Sequence, residues 1–165
     1  MAFIIFISAF ILQRISELVI ARRNEKWLRA QGAIGYGQKH YPFIVLLHFF
    51  FILSMIFEYW QNKTGLDILF LILFIILLIA KIWTIASLGK YWNTKILRIP
   101  EMPPINKGPY KFLRHPNYII VVCEFIAVPM VFHLYWTAIV FSVMNGVILR
   151  IRIKTEEEVW NTISP

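Results

Sequence analysis

Arg152 and Glu156 stand four residues apart in Arg150-Ile151-Arg152-Ile153-Lys154-Thr155-Glu156-Glu157-Glu158, so a helix puts both on one face. Upstream, the stretch Gly108-Pro109-Tyr110-Lys111-Phe112-Leu113-Arg114-His115-Pro116-Asn117-Tyr118 crowds two cations, two prolines, a glycine and two tyrosines against the mouth of an apolar segment. A membrane anchor needs a cation or two at such a place, but no prolines at both ends. Cations, tyrosines and carboxylates beside apolar walls suit a cofactor site at a membrane surface. Two plainer readings stay open on the residues alone. Arg152 and Glu156 also read as an i,i+4 salt bridge on an exposed helix, and Arg114-His115 as a basic anchor.

Other chemistries find no support. No Gly-x-Gly-x-x-Gly follows a strand, and neither a Gly-x-x-x-x-Gly-Lys phosphate loop nor a His-Glu-x-x-His occurs. His40, His115 and His133 are scattered, without a second His or Cys at ligand spacing, so no metal is expected. Serine-based acyl transfer lacks its elbow motif. The single cysteine, Cys123, lies in an apolar segment, so this chain alone forms no disulfide framework.

The elements that must position these residues are hydrophobic blocks. The chain is 59% hydrophobic and only 16% charged over 165 residues, against about half and a quarter for soluble domains. The expected fold is an all-α integral membrane protein, one membrane-embedded domain over residues 1–165. It has about five transmembrane helices, near 3–20, 42–60, 66–86, 117–132 and 136–149. The first cation is Arg14, so no basic leader precedes the first span and no cleavable signal peptide is expected.

Within the first span Arg14 and Glu17 share a face and either pair inside the bundle or emerge from the bilayer. The segment 22–39 reads as a basic loop with a short interfacial helix, then a glycine-rich turn. His40-Tyr41-Pro42 opens the second span, which contains His48, and Ile68 to Ala80 carries no polar residue. Leu88 to Asn117 is the one long polar connection. Its prolines at 100, 103, 104, 109 and 116 argue against a continuous helix and for an ordered loop. Glu124 lies about two turns into the fourth span, either near the site or hydrogen-bonded to a neighbouring span. Arg150 onward continues the fifth span as a charged helix.

Charge asymmetry orients the bundle. The loops 21–41, 87–116 and 150–165 hold nearly all the cations outside the spans, and the opposite side holds only Lys63. This places the proline-rich loop and the C-terminal helix in the cytoplasm and the N-terminus outside the cell membrane. The same asymmetry accounts for the net charge of +8 without nucleic acid.

Gly108-Pro109-Tyr110, Arg114-His115-Pro116-Asn117-Tyr118, and the distal Arg152 and Glu156-Glu157 together resemble the isoprenylcysteine carboxyl methyltransferase family, as does Leu88-Gly89-Lys90-Tyr91-Trp92. Gln13-Arg14-Ile15-Ser16-Glu17-Leu18, Ala21-Arg22-Arg23-Asn24-Glu25 and His40-Tyr41-Pro42 resemble a bacterial branch of it. Some members of that branch accompany type III polyketide synthases and methylate alkylpyrones. The resemblance implies an S-adenosyl-L-methionine-dependent O-methyltransferase. Tyr110, His115, Pro116, Asn117, Tyr118 and Glu156 would border the cofactor, and Met102-Pro103-Pro104-Ile105 would give it backbone contacts. Arg152 would be the catalytic residue, holding the acceptor's anionic oxygen with its fixed donors. Glu156 would accept hydrogen bonds from the cofactor's ammonium or ribose hydroxyls. The expected partners are the bilayer and a lipophilic small molecule, first an alkylpyrone-type polyketide supplied by a type III polyketide synthase. The alternative acceptor is a prenylated or other lipidic carboxylate. The chain is expected to work as a monomer. A non-catalytic transporter or assembly protein is the competing class, and the inverted repeat of many transporters is missing.

Overall fold

The computed structural model describes residues 1–37, 41–100 and 102–163, with side-chain environments through residue 158. Five helices run back and forth: α1 (Ala2–Ala30), α2 (Tyr41–Asn62), α3 (Ile68–Leu88), α4 (Pro116–Met130) and α5 (Tyr135–Ile163). Two three-residue strands, β1 (Ile34–Tyr36) and β2 (Ile96–Arg98), pair antiparallel with Gly35 opposite Leu97. His40, expected to open the second span, lies outside the described residues.

Among the described residues, four helices are long and apolar enough to cross a membrane: the segments Ala2–Ala30, Tyr41–Asn62, Ile68–Tyr91 and Tyr135–Glu158. With 15 residues, α4 is about 22 Å long at 1.5 Å per residue. That is shorter than a hydrocarbon core of about 30 Å. Its limits are local. Pro116 occupies the first helical turn, and beyond Met130 a tight turn places His133 at φ +52°. Outward-facing side chains such as Leu69, Ile76 and Ile139 are exposed in the isolated chain, as lipid-facing positions are. Helices supply every backbone hydrogen bond internally, which a bilayer interior requires.

One end of the bundle gathers the last turns of α1, α3 and α5 and the first turns of α2 and α4. There the Asn24 amide donates to Gly89 O and Trp92 O at 3.0 and 2.7 Å, and Asn93 donates to Ala21 O at 2.9 Å. Lys95 pairs with Glu25 at 2.8 Å. At the other end, Phe3 stacks on Tyr59 with ring centres 3.8 Å apart and meets Phe132 edge-on. Glu58 there accepts from Trp136 N and Thr137 N at 3.0 and 2.8 Å, satisfying the start of α5. Between the ends, Phe10, Phe51, Phe125 and Val128 fill the core.

Two expectations need correction. The segment 22–39 is not a loop with a separate interfacial helix, because α1 continues unbroken to Ala30. Glu25 reaches Lys95 across the fold while Arg22, Arg23, Lys26 and Arg29 stay exposed, and the helix stops only where Gly32 adopts φ +83°. The connection 88–117 holds β2 and two 3-10 turns, Gly89–Tyr91 and Gly108–Lys111, so the fold carries a small β-ribbon beside its helices.

Midway along the bundle lies a charge cluster. Glu124 Oε2 meets Lys81 Nζ at 2.5 Å and Arg14 at 2.8 Å, while Glu17 pairs with Arg14 at 3.0 Å and lies 3.5 Å from Lys81. Lys81 is 1% and Glu124 0% exposed. Two cations face two carboxylates, so the cluster is neutral as a whole, the condition on which buried charge is tolerated. The sequence pointed to Arg14, Glu17 and Glu124 but passed over Lys81. It follows directly on the polar-free run and was hidden by it. His48 is a packing residue, its Nδ1 2.8 Å from Ile44 O and its ring against Phe125.

Candidate active site

The stretch 108–118 folds into a turn followed by the start of α4. Gly108 has φ +54°, and a Cβ there would run into the Ser87 side chain on α3. Glycine alone meets both demands, the left-handed backbone and the close approach. Pro109 is buried in the 3-10 turn, and its carbonyl accepts from Leu113 N at 3.0 Å. His115 then caps α4 and Pro116 fills its first turn, where a missing N–H costs nothing. The outcome is that Tyr110, His115 and Tyr118 converge beside the charged part of α5.

Arg152 and Glu156 do lie on one face of α5, but they do not pair with each other. The Tyr118 hydroxyl stands between them. It accepts from Arg152 Nε at 2.8 Å and donates to Glu156 Oε2 at 2.5 Å. A second Arg152 nitrogen donates to Thr94 O at 2.6 Å, which ties the guanidinium to the β2 side of the loop. His115 stacks on the Tyr118 ring, centres 5.1 Å apart and planes 13° from parallel, and its Nδ1 is 3.8 Å from Glu156. Burial and then the Glu156 charge push the Tyr110 hydroxyl's pKa up, so it stays protonated. A simple exposed salt bridge would need none of this bracing.

Two connected spaces meet at this network. The larger is a cleft of about 820 Å³ walled by Leu28, Leu88, Ile99 and the 102–106 segment on one side and by Tyr110, Arg114, His115 and Glu156 on the other. The smaller is a recess of about 170 Å³ that shares Tyr110, His115 and Glu156 with the cleft and adds Trp92, Asn117, Tyr118 and Arg152. The expected site residues therefore divide. Tyr110, His115 and Glu156 border both spaces, whereas Asn117, Tyr118 and Arg152 border only the recess. Pro116 is buried and lines neither. Met102, Pro103, Pro104 and Ile105 all wall the larger cleft.

Sequence reasoning missed Trp92, Thr94 and Asn24. Trp92 sat in a stretch singled out as a motif without a role for each residue. Thr94 acts through its backbone carbonyl, which no side-chain pattern reveals. Asn24 holds the Gly89 turn from a helix remote in sequence.

Comparison with known proteins covers the same part of the chain. Residues 70–162, which include every network residue, match the isoprenylcysteine carboxyl methyltransferase (ICMT) family. The chain is 41% identical over 159 residues to the uncharacterized protein YpbQ of Bacillus subtilis (strain 168), covering 94% of this chain and 95% of that one. It is 32% identical over 160 residues to an uncharacterized protein of Haemophilus influenzae (strain ATCC 51907 / DSM 11121 / KW20 / Rd), covering 92% and 91%. No solved structure matches the chain. The family match spans more than half the sequence and coincides with the α3–α5 network, and this integral membrane protein belongs to the isoprenylcysteine carboxyl methyltransferase family.

Proposed function

We propose that the chain moves a methyl group from S-adenosylmethionine to an acidic oxygen on a lipophilic acceptor. The observation that carries this reading is the Arg152–Tyr118–Glu156 relay at the junction of the two spaces. The residues suit the cofactor. A cleft of about 820 Å³ lies within the range of about 300–1,000 Å³ usual for small-molecule sites. It offers apolar walls for a purine ring and Glu156 for an ammonium or ribose hydroxyl. The backbone of 102–105 supplies further contacts, and Tyr110 and His115 form the edge toward the recess. When bound there, S-adenosylmethionine would supply an electrophilic methyl group to the acceptor oxygen, its sulfur keeping the electron pair of the broken C–S bond.

The chain's own residues do the positioning. Arg152 directs its remaining N–H donors at an anionic oxygen, and Tyr118 and Thr94 fix the guanidinium while it does so. An acceptor already ionised near neutral pH needs no general base. Apolar walls keep water from the charges that the transfer neutralises.

The acceptor class we put first is an alkylpyrone-type polyketide, made by a type III polyketide synthase. A prenylated or other lipidic carboxylate is the alternative, and membership of the family favours it. In our reading the site faces the cytoplasm and the N-terminus lies outside, the orientation that the charge asymmetry of the loops favours. All the residues invoked come from one chain, so a monomer suffices.

The test is saturable binding of labelled S-adenosylmethionine to purified protein, then product mass analysis after incubation with alkylpyrones and lipophilic acids. Arg152→Ala is expected to abolish turnover and retain cofactor binding. Glu156→Ala is expected to weaken cofactor binding about tenfold or more, the loss of a hydrogen bond to a charged group. Absence of cofactor binding in the wild type, or the reverse pattern in the variants, sinks the reading.

A further inference from the structure

Trp92 and Asn117, which line the recess, each carry a buried side-chain atom without a hydrogen-bond partner among the described residues, Nε1 and Oδ1. Trp92 is 3% exposed. Buried indole N–H groups nearly always find a partner, and leaving one unmet costs about 1–3 kcal/mol. Gln13, Arg14, Ser142 and Asn145 carry such atoms too, but none of these residues lines the cleft or the recess. Trp92 carries an unmet donor and Asn117 an unmet acceptor, and both residues line the recess together with Arg152.

That wall is rigid. The Trp92 carbonyl accepts from Asn24 at 2.7 Å, and its N–H donates to Gly89 O at 3.2 Å, so α1 fixes the backbone that carries the indole. Asn117 lies in the first turn of α4, next to Pro116. Neither residue touches the larger cleft. Of the two spaces, only the recess can bring a ligand to these residues.

We propose that the recess is the head-group subsite for the methyl acceptor, and that Trp92 selects acceptors with a second oxygen. One oxygen, ionised, lies at Arg152; the other accepts the Trp92 indole N–H. The Asn117 carboxamide, which presents either its oxygen or its NH2 group by turning about its last bond, completes the polar wall. Size supports a compact head. A cavity of about 150 Å³ holds a benzene ring, so the recess of about 170 Å³ holds a single six-membered ring or a carboxylate with its neighbouring atoms. The acceptor's chain lies outside it, along the apolar helices. Trp92 is thus a specificity-determining residue and Asn24, which holds it, a positioning residue. The proposal rests on the methyltransferase reading and goes beyond it in naming what the acceptor must carry.

The experiment uses the full chain in lipid nanodiscs with S-adenosylhomocysteine present. Binding is measured for two two-oxygen probes, 4-hydroxy-6-pentadecyl-2-pyrone and hexadecanoate, and for one single-oxygen probe, 3-pentadecylphenol. Trp92→Phe keeps the ring and removes the N–H. It is expected to weaken whichever two-oxygen probe the wild type binds by about five- to twentyfold, the effect of one hydrogen bond. Phenol binding and S-adenosylmethionine binding stay unchanged. Asn117→Leu is expected to weaken the same probe with cofactor binding retained. Equal binding of that probe by wild type and Trp92→Phe overturns the proposal. So does a wild type that binds S-adenosylmethionine but neither two-oxygen probe, the result if the recess holds only water. Loss of S-adenosylmethionine binding in both variants overturns it as well, because the two spaces are then not separate. A wild type that binds no S-adenosylmethionine removes the methyltransferase reading itself, a failure distinct from the others.

Discussion

Arg14 and Arg152 each work with a glutamate, but in opposite company. Around Arg14 the charges close on themselves: Glu17, Lys81 and Glu124 complete a neutral quartet inside the bundle. Around Arg152 they stay open. A tyrosine hydroxyl separates arginine from glutamate, and both line a space that a small molecule can enter. The same residue types close a buried cluster in one place and, in the function we propose, bind in the other. What distinguishes them is whether the charges line a space that a ligand can enter. In the quartet each charge has an opposite one within reach, and the donor left over, Arg14 Nε, lines neither the cleft nor the recess. At the relay, neighbouring atoms remain without partners.

The strongest way to break this comparison is to remove one charge from each constellation. Glu124→Leu leaves Arg14 and Lys81 facing only Glu17 and is expected to destabilise the protein by about 3–5 kcal/mol, the usual result of orphaning a buried charge. Thermal unfolding in detergent reads this as a large fall in Tm. The double variant Lys81→Leu/Glu124→Leu restores neutrality and should recover most of the loss. Glu156→Leu, at the open constellation, should change Tm little. Similar Tm values for Glu124→Leu and Glu156→Leu would mean the two constellations do not differ in kind.

A smaller effect is expected at the turn that supports the open site. Gly108→Ala meets both a left-handed backbone and the Ser87 side chain, a strain of about 1–3 kcal/mol. Because Tyr110 and His115 hang from this turn, S-adenosylmethionine affinity should fall about tenfold. The double variant Gly108→Ala/Ser87→Gly removes the clash but not the backbone strain, so it should recover only part of the affinity. Full recovery would show that contact with α3, not the backbone, demands glycine. No loss at all would detach the turn from the site.

How much of this was legible in the sequence follows from the range of each interaction. The apolar blocks of α2, α3 and α5 are local signals and marked those helices closely. The pairing of 108–118 with Arg152 and Glu156 was legible because charge asymmetry put both at one end and a family motif joined them. The full length of α1 was not, since Arg22 to Arg29 look like loop charges until Asn24 and Glu25 meet residues about seventy positions away. Strands of three residues leave too few alternations to show a period. Lys81 needed Glu124 beside it to make sense. The Tyr118 bridge was beyond reach for a related reason: an i,i+4 spacing predicts that two residues share a face, not that a third side chain will come between them.

That bridge yields the smallest and most diagnostic effect. Tyr118→Phe keeps the ring that stacks on His115 and removes only the hydroxyl, so the fold and the cleft should survive. Arg152 loses the contact to its Nε but keeps Thr94 O, and Glu156 loses its closest donor. With the hydroxyl gone, Arg152 and Glu156 are four apart on one helix with nothing between them, and they are free to form the direct salt bridge. Such a bridge would draw the guanidinium away from the recess. The expected result is a fall of about tenfold in kcat/KM for the acceptor, near 1.4 kcal/mol, with S-adenosylmethionine affinity changed by no more than about threefold. Adding Glu156→Gln to Tyr118→Phe removes the attraction, so Arg152 should return toward the acceptor. The acceptor KM of the double variant should then be lower than that of Tyr118→Phe, even though its cofactor binding is weaker. If the acceptor KM instead rises further, the hydroxyl is not a spacer, and the open constellation depends on Glu156 for more than holding the cofactor.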